Sequence, residues 1–125
     1  MPEMENKKIL IVDDEMDVLS VLGERLGGEG YSVITAENGN DALVMARSKG
    51  PDLIILDRAL GDMLGEEVAQ RLKENPATRG IPIIYISALF SEKDEIEKEH
   101  MFGGNVMFAK PYDTEKLLTE IRKII

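Results

Sequence analysis

Two short runs, Leu53-Ile54-Ile55-Leu56 and Ile83-Ile84-Tyr85-Ile86, carry no charge and do not alternate polar with apolar residues. A strand with one wet face alternates. An unbroken run of this length, rich in β-branched residues, is a strand covered on both faces, and such strands belong to a parallel sheet with helices on either side. Similar runs at 8–12, 31–36 and 106–109 bring the expected strands to five, beside 53–56 and 83–86. Helical patterns separate them. Val18, Leu19, Leu22 and Leu26 share one face, with Gly27-Gly28 as a stop. Ala42, Leu43 and Ala46 mark a second helix ending at Gly50-Pro51, and Val68, Ala69 and Leu72 a third ending near Asn75-Pro76. Residues 91–102 read as a fourth helix capped by Ser91, sparse in apolar residues and with a solvated face at 92–99. Leu117, Leu118 and Ile121 mark a fifth, entered at Asp113 or Thr114. Five strands alternating with five helices, joined by right-handed crossovers, predict an α/β, doubly wound sheet.

A chain of 125 residues suits one domain, and 43% hydrophobic with 31% charged residues is a globular balance. Residues 7–125 are read as that domain, and 1–6 as a short disordered lead-in. Cysteine is absent, which excludes disulfides, thiol nucleophiles and Cys-based metal sites, and one histidine cannot build a His-rich site. Oxygen-ligated hard cations stay open, because Asp plus Glu number 24 against 15 Lys plus Arg. The net charge of -9 repels phosphate backbones and anionic lipid, so no nucleic-acid or membrane partner is expected. No apolar run approaches the roughly 20 residues of a membrane span, and the polar start has no signal-peptide core, so a cytoplasmic location is expected.

In open parallel sheets, sites form at the carboxyl ends of the strands. The first strand ends in Asp13-Asp14, the third in Asp57, the fourth in Ser87-Ala88 and the fifth in Lys110-Pro111. Alone, each has a plain reading: Asp13-Asp14 as helix caps, Asp57 and Ser87 as turn residues, Lys110 as a solvated loop lysine. Together they place three carboxylates, a hydroxyl and an ammonium on one edge. Crowded carboxylates repel unless a cation is present, and magnesium suits a few carboxylates with retained waters. Lysine and a hydroxyl suit phosphoryl oxygens. The set fits phosphoryl transfer to a carboxylate, with Asp57 the acceptor because it stands alone on the central strand.

Ile11-Val12-Asp13-Asp14-Glu15, Leu53-Ile54-Ile55-Leu56-Asp57, Ile86-Ser87-Ala88 and Lys110-Pro111-Tyr112 together resemble the receiver domain of bacterial two-component response regulators. The resemblance covers nearly the whole chain. It implies a flavodoxin-like (βα)5 fold, with a five-stranded parallel sheet in the order 2-1-3-4-5. It implies that Asp57 accepts a phosphoryl group from a phosphohistidine of a sensor histidine kinase or phosphotransfer protein. It further implies Mg²⁺ (or Mn²⁺) held by Asp13, Asp14, Asp57 and the backbone carbonyl of Ala59. Ser87 and Ala88 would contact the phosphoryl group, with Ser87 as the switch hydroxyl. Lys110 would pair with a phosphoryl oxygen, and Pro111 would follow a cis bond. The chain would be a signalling module rather than an enzyme, promoting only its own phosphorylation and dephosphorylation, and would act on a downstream output protein or domain. It would be either a stand-alone receiver or part of a longer regulator. Three positions depart from the pattern: Gly61 stands where Pro is frequent, Leu64 where Asp is frequent, and Met107 where the switch aromatic normally lies.

Other readings fit less well. A haloacid-dehalogenase-like phosphatase needs Asp-x-Asp after its first strand, where this chain has Glu15 at the second Asp. A flavodoxin-like mononucleotide binder needs a phosphate loop where Asp13-Asp14-Glu15 stand. A degenerate receiver acting as a protein-binding scaffold would not need the full acid–Ser–Lys set.

Overall fold

The computed structural model describes residues 7–88, 101, 102 and 105–125, with 101 and 102 described by their backbone. The expected lead-in and residues 91–100 of the expected fourth helix lie outside the described residues. The elements are β1 (Lys8–Val12), α1 (Met16–Gly28), β2 (Ser32–Ala36), α2 (Gly39–Lys49), β3 (Leu53–Asp57), α3 (Gly65–Glu74), β4 (Ile83–Ser87), β5 (Met101–Phe102), β6 (Asn105–Ala109) and α4 (Thr114–Ile124). The sheet order is β2-β1-β3-β4-β6-β5. All pairings from β2 to β6 are parallel, so the five long strands take the order 2-1-3-4-5 of a flavodoxin-like fold.

One element differs from expectation. Met101 and Phe102 are not the end of a helix but a two-residue strand, antiparallel to β6, with Met101 opposite Val106 and Phe102 opposite Asn105. Two residues carry no helical periodicity of their own, and the ladder to β6 sets their conformation.

Every residue of β3 and β4 is buried, as unbroken apolar runs require. Side chains alternate between the two sheet faces. Leu10 and Val12 pack with Leu43, Ile54, Val68 and Leu72 beneath α2 and α3. Ile9 and Ile11 pack with Leu22, Ile55, Leu117 and Ile121 beneath α1 and α4. Met107 and Phe108 divide between these two clusters. Helix ends follow local chemistry. The Asn38 side chain accepts the Asp41 N–H at 2.8 Å to open α2, and Gly50 closes it in the left-handed region at φ 56. Asp113 opens α4 by accepting the Glu115 and Lys116 N–H groups. Among the described residues no helix is long and apolar enough to cross a membrane.

Candidate functional site

The edge at the carboxyl ends of the strands is knitted by backbone bonds just past the ladder. Asp13 N–H donates to the Ala36 carbonyl at 3.2 Å, Arg58 N–H to Ile86 at 3.0 Å and Lys110 N–H to Ser87 at 3.0 Å. Each donor is the residue that follows β1, β3 or β6, so the register of the sheet fixes where the site residues stand.

Carboxylate oxygens of Asp13, Asp14 and Asp57 lie within 4.8 Å of one another. Asp13 and Asp57 are buried, while Asp14 is exposed. Asp13 Oδ1 accepts the Glu15 N–H at 2.9 Å, which turns the chain into α1. This keeps part of the capping role open to an acid at a strand end. Asp57 Oδ1 accepts the Ala59 N–H at 3.0 Å, which brings that peptide unit beside the carboxylate. The other oxygens face Lys110. Its Nζ stands 2.8 Å from Asp13 Oδ2 and 2.9 Å from Asp57 Oδ2, and it also reaches Glu15 Oε1 at 2.8 Å. The contact with Asp13 is an ion pair outside hydrogen-bond geometry, so the buried Asp13 Oδ2 accepts no hydrogen bond. A buried carboxylate oxygen in that state is costly. Beside two further carboxylates, it is the donor set a hard divalent cation takes.

The charges perturb one another. Burial pushes the Asp13 carboxyl up from 3.8 to about 6; Lys110 and the Glu15 N–H work against this, and the Asp57 charge adds to it. Burial also disfavours the Lys110 ammonium, but Asp13, Glu15 and Asp57 outweigh it and hold the group above its ordinary range. Lys110 in turn keeps Glu15 below its ordinary value. Burial, with the Asp13 charge beside it, raises the Tyr112 hydroxyl.

The remaining sequence candidates sit around this core. Ser87 is buried at the end of β4, the strand beside Asp57. Ala88 is exposed next to it. Met107 is buried, opposite Tyr85 in the register, on the α2–α3 side of the sheet rather than among the carboxylates. The Lys110–Pro111 peptide bond is cis. A groove of about 530 Å³ opens beside Lys110, with Val18, Val21 and Leu22 of α1 on one wall and Pro111 and Tyr112 on the other.

Sequence reasoning assigned no role to Glu15 or Asp62. Asp62 Oδ1 accepts the Gly39 N–H at 2.8 Å and Oδ2 the Asn40 N–H at 3.0 Å, which ties the loop after Asp57 to the start of α2. These two N–H groups hold the Asp62 carboxyl below its ordinary value. The Gly65 N–H closes the same loop onto the Arg58 carbonyl at 2.8 Å. A side chain at Gly65 would meet the Asp57 carbonyl oxygen at 2.5 Å, so helix α3 starts against the backbone of the site.

The response regulator receiver domain family matches this chain over residues 9–122. Sporulation initiation phosphotransferase F of Bacillus subtilis is 34% identical over 98% of this chain and 96% of its own length. The alkaline phosphatase synthesis transcriptional regulatory protein PhoP of the same organism is 34% identical, and the match covers 96% of this chain but 49% of that protein. Among solved structures, a response regulator from Chloroflexus aurantiacus superposes with a TM-score of 0.82 at 30% identity, covering 95% of this chain and 97% of that one.

Proposed function

Because this chain belongs to the response regulator receiver family, a group of phosphorylation-dependent signalling modules, we propose that Asp57 is its phosphoacceptor. The partner class follows from the family: a histidine kinase or a phosphotransfer protein. A carboxylate oxygen of Asp57 attacks the phosphorus of the donor phosphohistidine. The new O–P bond forms as the P–N bond breaks, and the imidazole nitrogen keeps the electron pair and takes a proton from solvent. On hydrolysis water attacks the same phosphorus, and the pair returns to the Asp57 carboxylate with release of inorganic phosphate.

Asp13, Asp14 and Asp57, with the backbone carbonyl of Ala59, would hold Mg²⁺. The unsatisfied Asp13 Oδ2 and the three converging carboxylates support that fit. When bound, the cation neutralises the carboxylate cluster and polarises the phosphoryl oxygens. Lys110 carries a compact positive charge to a phosphoryl oxygen, Ser87 supplies the hydroxyl that responds to phosphorylation, and Met107 gives the switch position apolar filling in place of an aromatic ring. The groove between α1 and Tyr112 offers the donor protein an apolar wall beside Lys110. We infer a cytoplasmic module whose output is protein docking rather than direct binding to DNA or lipid.

The observation that carries this reading is the convergence of Asp13, Asp14 and Asp57 on one another at the strand ends, with the ammonium of Lys110 on Asp13 and Asp57. Intact-mass spectrometry after treatment with acetyl phosphate tests it. One added phosphoryl group is expected with Mg²⁺ and none with chelator. Undiminished modification of an Asp57→Asn variant would sink the assignment.

A further inference from the structure

Glu15 occupies the N-cap position of α1, yet its side chain makes no capping bond. An acidic residue there ordinarily turns onto the free N–H groups of its own helix. This one reaches across the site, 95 residues along the chain, and its Oε1 accepts a hydrogen bond from Lys110 Nζ at 2.8 Å. Three carboxylates stand on the ammonium: Glu15 and Asp57 accept hydrogen bonds from it, and Asp13 faces it as an ion pair. Two of the three are anchored. Asp13 and Asp57 are buried, and each has its other oxygen tied to a backbone N–H. Glu15 is the loose member, with a side chain 61% exposed. A phosphoryl oxygen approaching Lys110 competes with these three negative charges, and Glu15 is the one that can leave without exposing a buried charge.

Resting on the reading of Asp57 and Lys110 given above, we propose that Glu15 is a positioning residue. It holds the Lys110 ammonium at the solvent mouth of the site and competes with the incoming phosphoryl group for it. Its charge then weakens capture of a phosphoryl group without entering the chemical step. The pair is exposed on the Glu15 side, so its removal is worth about a two- to fivefold change in anion affinity at ordinary salt.

The test uses beryllofluoride, a phosphoryl mimic that binds without reaction, titrated at saturating Mg²⁺ and followed by NMR. The half-saturating concentration is expected to fall about two- to fivefold in Glu15→Gln. It is expected to stay at the wild-type value in Glu37→Gln, which removes the same charge from an exposed residue just past β2. With acetyl phosphate, an Asp57 oxygen attacks phosphorus and acetate leaves with the electron pair of the broken P–O bond. There the second-order rate constant should rise in Glu15→Gln by the same factor, through KM and not kcat. Equal beryllofluoride affinity in wild type and Glu15→Gln would overturn the proposal. So would an equal gain in Glu37→Gln, which would reduce the effect to net charge. If wild type neither binds beryllofluoride nor becomes phosphorylated, the reading of the site itself fails, a result distinct from either of these.

Discussion

Replacing Asp13 by Asn should stabilise the metal-free protein at neutral pH, and the gain should vanish in mild acid. Asp13 is fully buried, and its carboxyl is raised from 3.8 to about 6. At 1.36 kcal/mol per pKa unit, the ionised form costs the folded state about 3 kcal/mol. The sign follows from proton counting. Between pH 4 and 6 the folded chain keeps a proton that the unfolded chain has released, so wild-type stability falls as pH rises through that window. Above pH 6 the whole cost is present; below pH 4 both states are protonated and it is gone. Lys110, Asp57, Asp14, Glu15 and Tyr112 all face this carboxyl, and the opposing effects of Lys110 and Asp57 on it are already contained in the raised value. The Asn variant keeps an acceptor for the Glu15 N–H but buries an amide group beside the Lys110 ammonium, which leaves a net gain of about 1–3 kcal/mol at pH 7.5. Urea unfolding in chelator, followed by far-UV circular dichroism from pH 4.5 to 7.5, measures it. A variant no more stable than wild type at pH 7.5 would refute the reasoning, as would a gain that does not shrink toward pH 4.5. Mg²⁺ should then reverse the order. Wild type gains about 2.7 kcal/mol when the metal stands at 100 times its dissociation constant, and the variant gains less.

Two further outcomes concern the loop after Asp57. Gly65→Ala places a Cβ 2.5 Å from the Asp57 carbonyl oxygen and 3.0 Å from the Arg58 Cα, both backbone, whereas Gly39→Ala meets the Met63 side chain. Gly65→Ala should cost about 2 kcal/mol or more and Gly39→Ala clearly less, because a methionine can turn aside; equal shifts in urea midpoint would contradict this. Asp62→Ala removes the side-chain acceptor for two N–H groups of α2 and should cost about 1 kcal/mol, while Asp62→Asn should recover part of it. Hydrogen exchange at Gly39 and Asn40 should rise in the Ala variant, and unchanged protection there would remove Asp62 as the tether.

What the sequence made legible and what it hid divide along a physical line. Runs such as 53–56 and 83–86 announce double-sided burial, so the parallel sheet could be read from pattern alone. In a parallel sheet the strand ends share one edge, so Asp13, Asp14 and Asp57 could be expected to meet there, and their oxygens do lie within 4.8 Å. The sequence instead predicts the end of a helix at Met101–Phe102, because two residues carry no periodicity and their structure depends on the partner strand. The tie from Asp62 to Gly39 and Asn40 spans more than 20 residues, and no local pattern encodes it. Glu15 is the sharper case. Its position beside Asp13-Asp14 was plain, but an acid at the start of a helix has two destinations, its own N–H groups or a distant cation. The choice depends on where Lys110 stands after the whole chain has folded. Sequence order therefore delivers the charges to the edge. The balance among them, a buried carboxyl raised to about 6 beside an ammonium held by three acids, is a property of the assembled space. Substitutions that leave every strand intact, such as Asp13→Asn and Glu15→Gln, are for that reason expected to move the site without moving the fold.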